Sequence, residues 1–204
     1  MKKILIASGN PGKITEIKIG LQKLKNLGIE VLTLNDVKVG ENKPEENGKT
    51  FKDNALIKAI FYADQTRLPV VSDDGGLIIP YLNNEPGVKS KRWLGRDATD
   101  SELVNHTLYN LRGCTGSKRI AYLETVLCFY NPQTNTIIFE REKISGHISE
   151  VPSSKRITGY PFRAVFIVDK FKKYYDELTE EEHQQVNHRL KALKRLTKKI
   201  DNLI

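Results

Sequence analysis

The sequence predicts a mixed α/β protein, and three features carry that expectation. A short apolar run, Ile4 to Ala7, passes through a Gly-containing loop into a segment whose apolar residues recur at 14, 17, 21 and 24, the spacing of one helical face. Between Arg119 and Phe139, Tyr, Val, Ile, Thr and Phe accumulate on either side of Asn131-Pro132-Gln133-Thr134-Asn135, as in an antiparallel hairpin. Thr179-Glu180-Glu181-Glu182 then caps a basic helix that the pattern carries toward the end of the chain.

Taken in order, the first strand and its helix are followed by a strand candidate at Ile29 to Leu32 and a polar loop from Asn35 to Lys49. Thr50 with Asp53 is a capping-box pattern that opens a helix toward Gln65. Pro69 to Ser72 reads as a strand that ends in the acidic turn Asp73-Asp74-Gly75-Gly76. Thr99 with Glu102 caps another helix, which should stop near Gly113. Ala164 to Val168 is the last strand candidate before the basic helix. No repeat, low-complexity tract or linker interrupts the 204 residues, so one α/β domain over 1–204 is expected.

Composition narrows the function classes. No apolar run approaches the roughly 18 residues of a membrane span, and the four-residue apolar start is shorter than a signal-peptide core, so a cytoplasmic protein with no membrane partner is expected. Cys114 and Cys128 lack the spacing of a zinc site or a disulfide framework and read as buried small apolar groups. The net charge of +8 fits a partner that carries phosphates, either free nucleotide or nucleic acid.

Four segments carry chemistry. Ser8-Gly9-Asn10-Pro11-Gly12-Lys13 lies at a strand-to-helix turn, where backbone amides and the helix dipole favour an anion; it lacks Walker spacing, and an ordinary turn with a surface lysine stays open as the alternative. Asp73 and Asp74 follow an apolar strand, where a hard cation completed by Glu45 or Glu46 and by phosphate oxygens would offset their repulsion; a solvated acidic turn is the equal alternative. Of the histidines, only His183 and His188 fall near each other, and five positions apart on one helix they do not share a face. Arg189, Lys191, Lys194, Arg195, Lys198 and Lys199 suit nucleic acid, although a solvated helix face explains them more simply.

The order of the runs SGNPGK (8–13), PEENGKTFKDNALIKA (44–59), SDDGGL (72–77), EPGVKSKRWLGRDATD (85–100) and LTEEEHQQVNHR (178–189) resembles the inosine triphosphate pyrophosphatase family over nearly the whole chain. The resemblance implies an elongated, two-lobed mixed-sheet α/β fold, a homodimer, a Mg²⁺ requirement and hydrolysis of noncanonical purine NTPs (ITP, dITP, XTP) to monophosphate and pyrophosphate, a nucleotide-pool sanitation activity. It further implies that Ser8, Gly9, Asn10, Pro11, Gly12 and Lys13 hold the triphosphate and that Lys58 faces the phosphates. Glu45 and Asp74 bind metal, Gly75 lines the nucleotide, and His188 and Arg189 contact the base. On this view a metal-associated water attacks the α-phosphorus, with Asp74 as general base, Asp73 as second acid or structural partner, and Lys13 offsetting charge.

The chain departs from that family around the base. The family stretch G-F-G-Y-D-P corresponds to Ile157–Ala164, where either Pro161 or Arg163 takes the aspartate's place, so Tyr160, Phe162 and Arg163 would meet the substrate without that carboxylate. His183 stands where the family carries a lysine, and Lys89 and Lys91 replace a tyrosine and a small residue. Besides an active pyrophosphatase, two other readings follow: a same-fold hydrolase with a shifted nucleotide or phosphate-ester substrate, and a non-catalytic nucleotide or nucleic-acid binder. The retained acidic pair disfavours nucleic acid, because bare carboxylates repel its phosphates.

Overall fold

The computed structural model describes residues 2–203, and the chain divides into two compact units. The first comprises residues 1–74, 125–142 and 189–204, and the second 75–124 and 143–188.

In the first unit, β1 (Lys3–Ala7) pairs in parallel with both β2 (Glu30–Thr33) and β3 (Val70–Ile79), which passes into the second unit after Asp74. Next in order come β5 (Ile120–Asn131) and β6 (Thr136–Ile148). Strand side chains alternate between faces, and both faces are covered. Ile4, Ile6, Val71, Leu127 and Phe129 pack with α1 (Pro11–Gly20), α2 (Gln22–Asn26) and α6 (His188–Asp201) through Ile17, Leu21, Leu24, Ala192, Leu193, Leu196 and Ile200. On the opposite face Leu5, Ala7, Val70 and Cys128 meet α3 (Phe51–Thr66) through Ala55, Ala59, Tyr62 and Ala63. The alanines bring α3 close enough for Ser72 Oγ to donate to the Ala55 carbonyl. Each fully buried Leu or Ile of these layers contributes about 1.5–3 kcal/mol of transfer free energy.

In the second unit, β4 (Glu85–Pro86) is antiparallel to β3, and β7 (Phe166–Val168) is antiparallel to both β6 and β8 (Lys173–Tyr174). Its core joins Leu77 and Ile79 of β3, Leu103 and Val104 of α4 (Asp100–Asn110), and Phe162, Phe166 and Tyr175. Buried Arg119 ties α4 to β6 by donating to the carbonyls of Leu111 (2.8 Å), Cys114 (3.2 Å), Ile148 (2.6 Å) and Ser149.

All three expected capping boxes are present, at Thr50/Asp53, Thr99/Glu102 and Thr179/Glu182. Four expectations are corrected. The strand read as ending at Ser72 runs on to Ile79, so Asp73 and Asp74 lie in mid-strand rather than in a turn. Gly76 is there because a Cβ would sit 1.9 Å from Ser90 Oγ, a close approach and not a bend. The Ala164–Val168 strand is only Phe166–Val168, because Pro161–Val165 forms a 3-10 turn. The basic helix is two, α5 (Glu180–Val186) and α6, broken where Asn187 takes ψ 100°; its reading toward the chain end reaches Ile204, which lies outside the described residues. Cys128 is buried, but Cys114 is only half-buried.

Candidate active site

Strand alternation decides what the two adjacent acids do. Val71 and Asp73 point to the α1/α6 face, whereas Val70, Ser72 and Asp74 point to the α3 face. The carboxylates therefore do not form a dyad. Lys13 acts on both, but Arg189 contacts Asp73 and Lys58 contacts Asp74.

The Asp73 side chain has no exposed surface. Lys13 Nζ lies 2.7 Å from Oδ2, Arg189 Nε donates to Oδ1 at 3.2 Å and Nη2 to Oδ2 at 3.4 Å, and Thr125 Oγ1 also donates to Oδ1. Arg189 Nη1 donates in turn to Glu16, which is buried on α1. Burial alone would raise the pKa of Asp73, but Arg189 and Lys13 outweigh it and hold the carboxyl well below the usual range. Asp73 is a fixed anion that aligns two cations.

Asp74 is in the opposite state. Burial pushes its pKa up, and Lys58 and Lys13 offset this only in part. Lys58, on α3, sits 3.5 Å from Asp74 Oδ1 and donates to Glu46 Oε2 at 3.0 Å. Burial would lower the Lys58 pKa, but Asp74 and Glu46 reverse this and keep it an ammonium. The loop that carries Glu46 is held where Gly48 N donates to Asn54 Oδ1 at 2.8 Å; a Cβ on Gly48 would lie 2.6 Å from that oxygen. Asp74 Oδ2 is buried and receives no hydrogen bond among the described residues.

That orphaned oxygen, with Glu46 on the same lysine, fits a hard divalent cation. Mg²⁺ takes one or two carboxylates and completes its shell with water and substrate phosphate. No group of three or more acidic, His or Cys side chains that would cage a metal occurs among the described residues.

The Ser8–Lys13 loop offers fewer amides than its sequence suggests. Asn10 Oδ1 accepts from Lys13 N (3.1 Å), Ser8 Oγ accepts from Asn10 N (3.2 Å), and Pro11 has no N–H. Its open face lies at Gly9, where a Cβ would meet nothing within 4 Å.

In the second unit the base-segment residues gather around Tyr175. The Arg163 guanidinium lies 3.6 Å from the Tyr160 ring centre and 4.6 Å from that of Tyr175. His183 and His188 meet Tyr175 edge-on at 5.4 and 6.5 Å. The helix break at Asn187 explains why two histidines that a continuous helix would separate face one ring.

Several sequence assignments change. Glu45 is exposed, and it is Glu46 that shares Lys58 with Asp74. Arg189 is committed to Asp73 and Glu16 in the first unit rather than to the base cluster. Phe162 is core, edge-on to Trp93. Gly75 continues β3. Part of the basic run is paired: Arg195 with Glu140 and Glu142, and Lys199 with Glu140. Sequence reasoning missed Glu16, Thr125, Tyr175 and Asp176. The strand period signals Thr125 only once its register beside β3 is known, and nothing local signals the others.

Comparison with known proteins identifies the family and the fold. Residues 4–199 match the Ham1 family. A dITP/XTP pyrophosphatase of Thermoanaerobacter pseudethanolicus is 37% identical over 194 residues, 95% of this chain and 94% of the relative. One from Thermus thermophilus is 38% identical over 194 residues, covering 95% and 89%. Among solved structures, a HAM1 protein from Coxiella burnetii superposes with a TM-score of 0.85 at 32% identity, covering 99% of this chain and 100% of that one. The Staphylococcus aureus Ham1 protein gives 0.84 at 28% identity, covering 100% of both. With most of its length matched and its relatives above 30% identity, the chain belongs to the Ham1 family.

Proposed function

We propose that this chain is a nucleoside triphosphate pyrophosphatase of noncanonical purine nucleotides such as dITP, ITP and XTP, releasing monophosphate and pyrophosphate. The observation that carries the reading is Asp74, a buried carboxylate with one oxygen that has no hydrogen-bond partner among the described residues and the other beside Lys58. Asp74 and Glu46 would hold Mg²⁺. When bound, the ion supplies positive charge against the triphosphate and Lewis acidity toward the attacking water.

The chain's own groups do the rest. Asp74 accepts the proton of the water that attacks the α-phosphorus, and its raised pKa makes it a stronger base than an ordinary carboxylate. The new bond joins water oxygen to the α-phosphorus; the bond to the bridging oxygen breaks, and pyrophosphate leaves with its electron pair. Lys13 and Lys58 offset the charge on the phosphates. Asp73 is a positioning residue that orients Lys13 and Arg189. Tyr160, Arg163, His183 and His188 contact the base, and Ser8 to Gly12 line the phosphates.

A homodimer and a cytoplasmic location belong to the same reading; light scattering of the purified protein tests the former. The test of the activity is pyrophosphate release from ITP, dITP, XTP and the standard NTPs, with and without Mg²⁺. Metal-dependent release favouring ITP, dITP or XTP supports it. Absence of release from all of them overturns it in favour of a shifted substrate or a binding role.

A further inference from the structure

Thr125, on β5 beside β3, is fully buried, and its hydroxyl donates to Asp73 Oδ1. The hydrolytic step itself does not use it. Sealing a hydroxyl from water is unfavourable unless a hydrogen bond offsets the lost hydration. Here the acceptor is an anion, which makes the bond about twice as strong as one between neutral groups.

The two oxygens of Asp73 have different tasks. Oδ2 meets the Lys13 ammonium at 2.7 Å, whereas Oδ1 takes the Thr125 hydroxyl. Arg189 reaches across both oxygens, but at 3.2 and 3.4 Å, longer than the roughly 2.7–2.9 Å of a strong charge-assisted bond. Its Nη1 donates to Glu16, so the guanidinium is shared between two acids. Arg189 therefore supplies charge but sets the plane of the carboxylate only loosely. That plane turns about a broad torsion, whereas a β-branched threonine is stiff at χ1. The Thr125 hydroxyl is the contact that fixes the plane, and the plane decides where Oδ2 holds Lys13. An ammonium has three donors, and Lys13 keeps one-fifth of its side-chain surface in solvent, so the donors not spent on Asp73 are free to meet phosphate.

We propose that Thr125 is a positioning residue for phosphate binding, fixing through Asp73 the place where the Lys13 ammonium meets the substrate's phosphates. The inference rests on the pyrophosphatase reading for the identity of that anion. Thr125, Asp73, Lys13, Arg189 and Glu16 all belong to the first unit, so the whole chain of contacts lies within one compact body.

The test compares Thr125→Val, which keeps the shape and removes the hydroxyl, with Thr125→Ser, which keeps the hydroxyl, each in wild-type and Lys13→Ala backgrounds. Kinetics with ITP give kcat and KM, equilibrium binding of inorganic pyrophosphate in Mg²⁺ buffer gives Kd, and circular dichroism gives Tm. Thr125→Val should raise KM and the pyrophosphate Kd about 10-fold with kcat within about 2-fold, and Ser should restore most of the loss. In the Lys13→Ala background the same change should move KM and Kd by less than about 2-fold, because the group that Thr125 aligns is gone. A threonine that only supported the fold would lower Tm and the active fraction, and with them kcat alone, in both backgrounds. That result, or an equal rise in KM with and without Lys13, overturns the proposal. If the valine variant does not fold, Thr125→Ala takes its place in the same comparison. If wild type cleaves no nucleotide, the pyrophosphatase reading fails separately and pyrophosphate binding decides the role of Thr125. Weakening by Val that Ser rescues upholds it, and unchanged affinity overturns it.

Discussion

Replacing Asp73 with asparagine should destabilise the fold, although the neighbouring replacement Asp74→Asn should not. Asp73 is a buried anion held by Lys13 at 2.7 Å and Arg189 at 3.2 Å, and breaking such a pair from one side costs about 3–5 kcal/mol. The lower end applies here. Lys13 retains one-fifth of its side-chain surface in solvent and can turn outward, and Arg189 keeps Glu16. A loss of about 3 kcal/mol corresponds to a drop in Tm of about 6–12 °C for a chain of this size, at about 2–4 °C per kcal/mol. At Asp74 the charge is already disfavoured by burial, so neutral asparagine should leave Tm unchanged or slightly raised. Thermal melts followed by circular dichroism, with urea titrations for the free energy, measure both. The reasoning is refuted if Asp73→Asn stays within about 1 kcal/mol of wild type, or if Asp74→Asn is the less stable of the two.

Three further expectations come from the same geometry. Because the folded-state pKa of Asp73 lies below its ordinary 3.8, its contribution to stability is present above that value and fades as pH falls; urea midpoints should drop on acidification below about pH 4, less steeply in Asp73→Asn. Asp176, raised to about 6, has the reverse sign: its contribution is present at low pH and is lost as pH rises through 6, so Asp176→Asn should flatten the pH–stability curve between about 4 and 6. Glu46→Gln should raise the Mg²⁺ concentration needed for half-maximal pyrophosphate release, whereas exposed Glu45→Gln should leave it near wild type; the opposite pattern would return the metal to Glu45.

How much of this was legible in the sequence depends on the range of the interaction. The capping boxes that open α3, α4 and α5 were readable because their partners lie three residues apart, and β1 and α1 followed from an apolar run and a local helical period. The Ser8–Lys13 loop and the acidic pair were visible as residue types at fixed spacing, and Lys58 only through the family resemblance. Their arrangement was not, because Gly75-Gly76 reads as a turn, whereas Gly76 answers to Ser90 pressed against a continuing strand. Once β3 runs through to Ile79, period two sends Asp73 and Asp74 to opposite faces, and their roles separate. The choice of Glu46 over Glu45 depends on where Gly48 meets Asn54, and the gathering at Tyr175 depends on the break at Asn187. Arg189 looks like a surface donor in sequence, yet two acids remote in the chain claim it.

The central claim is that Asp74 carries the chemistry and Asp73 the scaffold, and pyrophosphate release from ITP by wild type and Asp74→Asn at saturating Mg²⁺ tests it most directly. The account predicts that Asp74→Asn lowers kcat by about 100-fold or more, the size of a lost general base, with Tm at or above that of wild type. Release at the wild-type rate from a folded Asp74→Asn protein would contradict it.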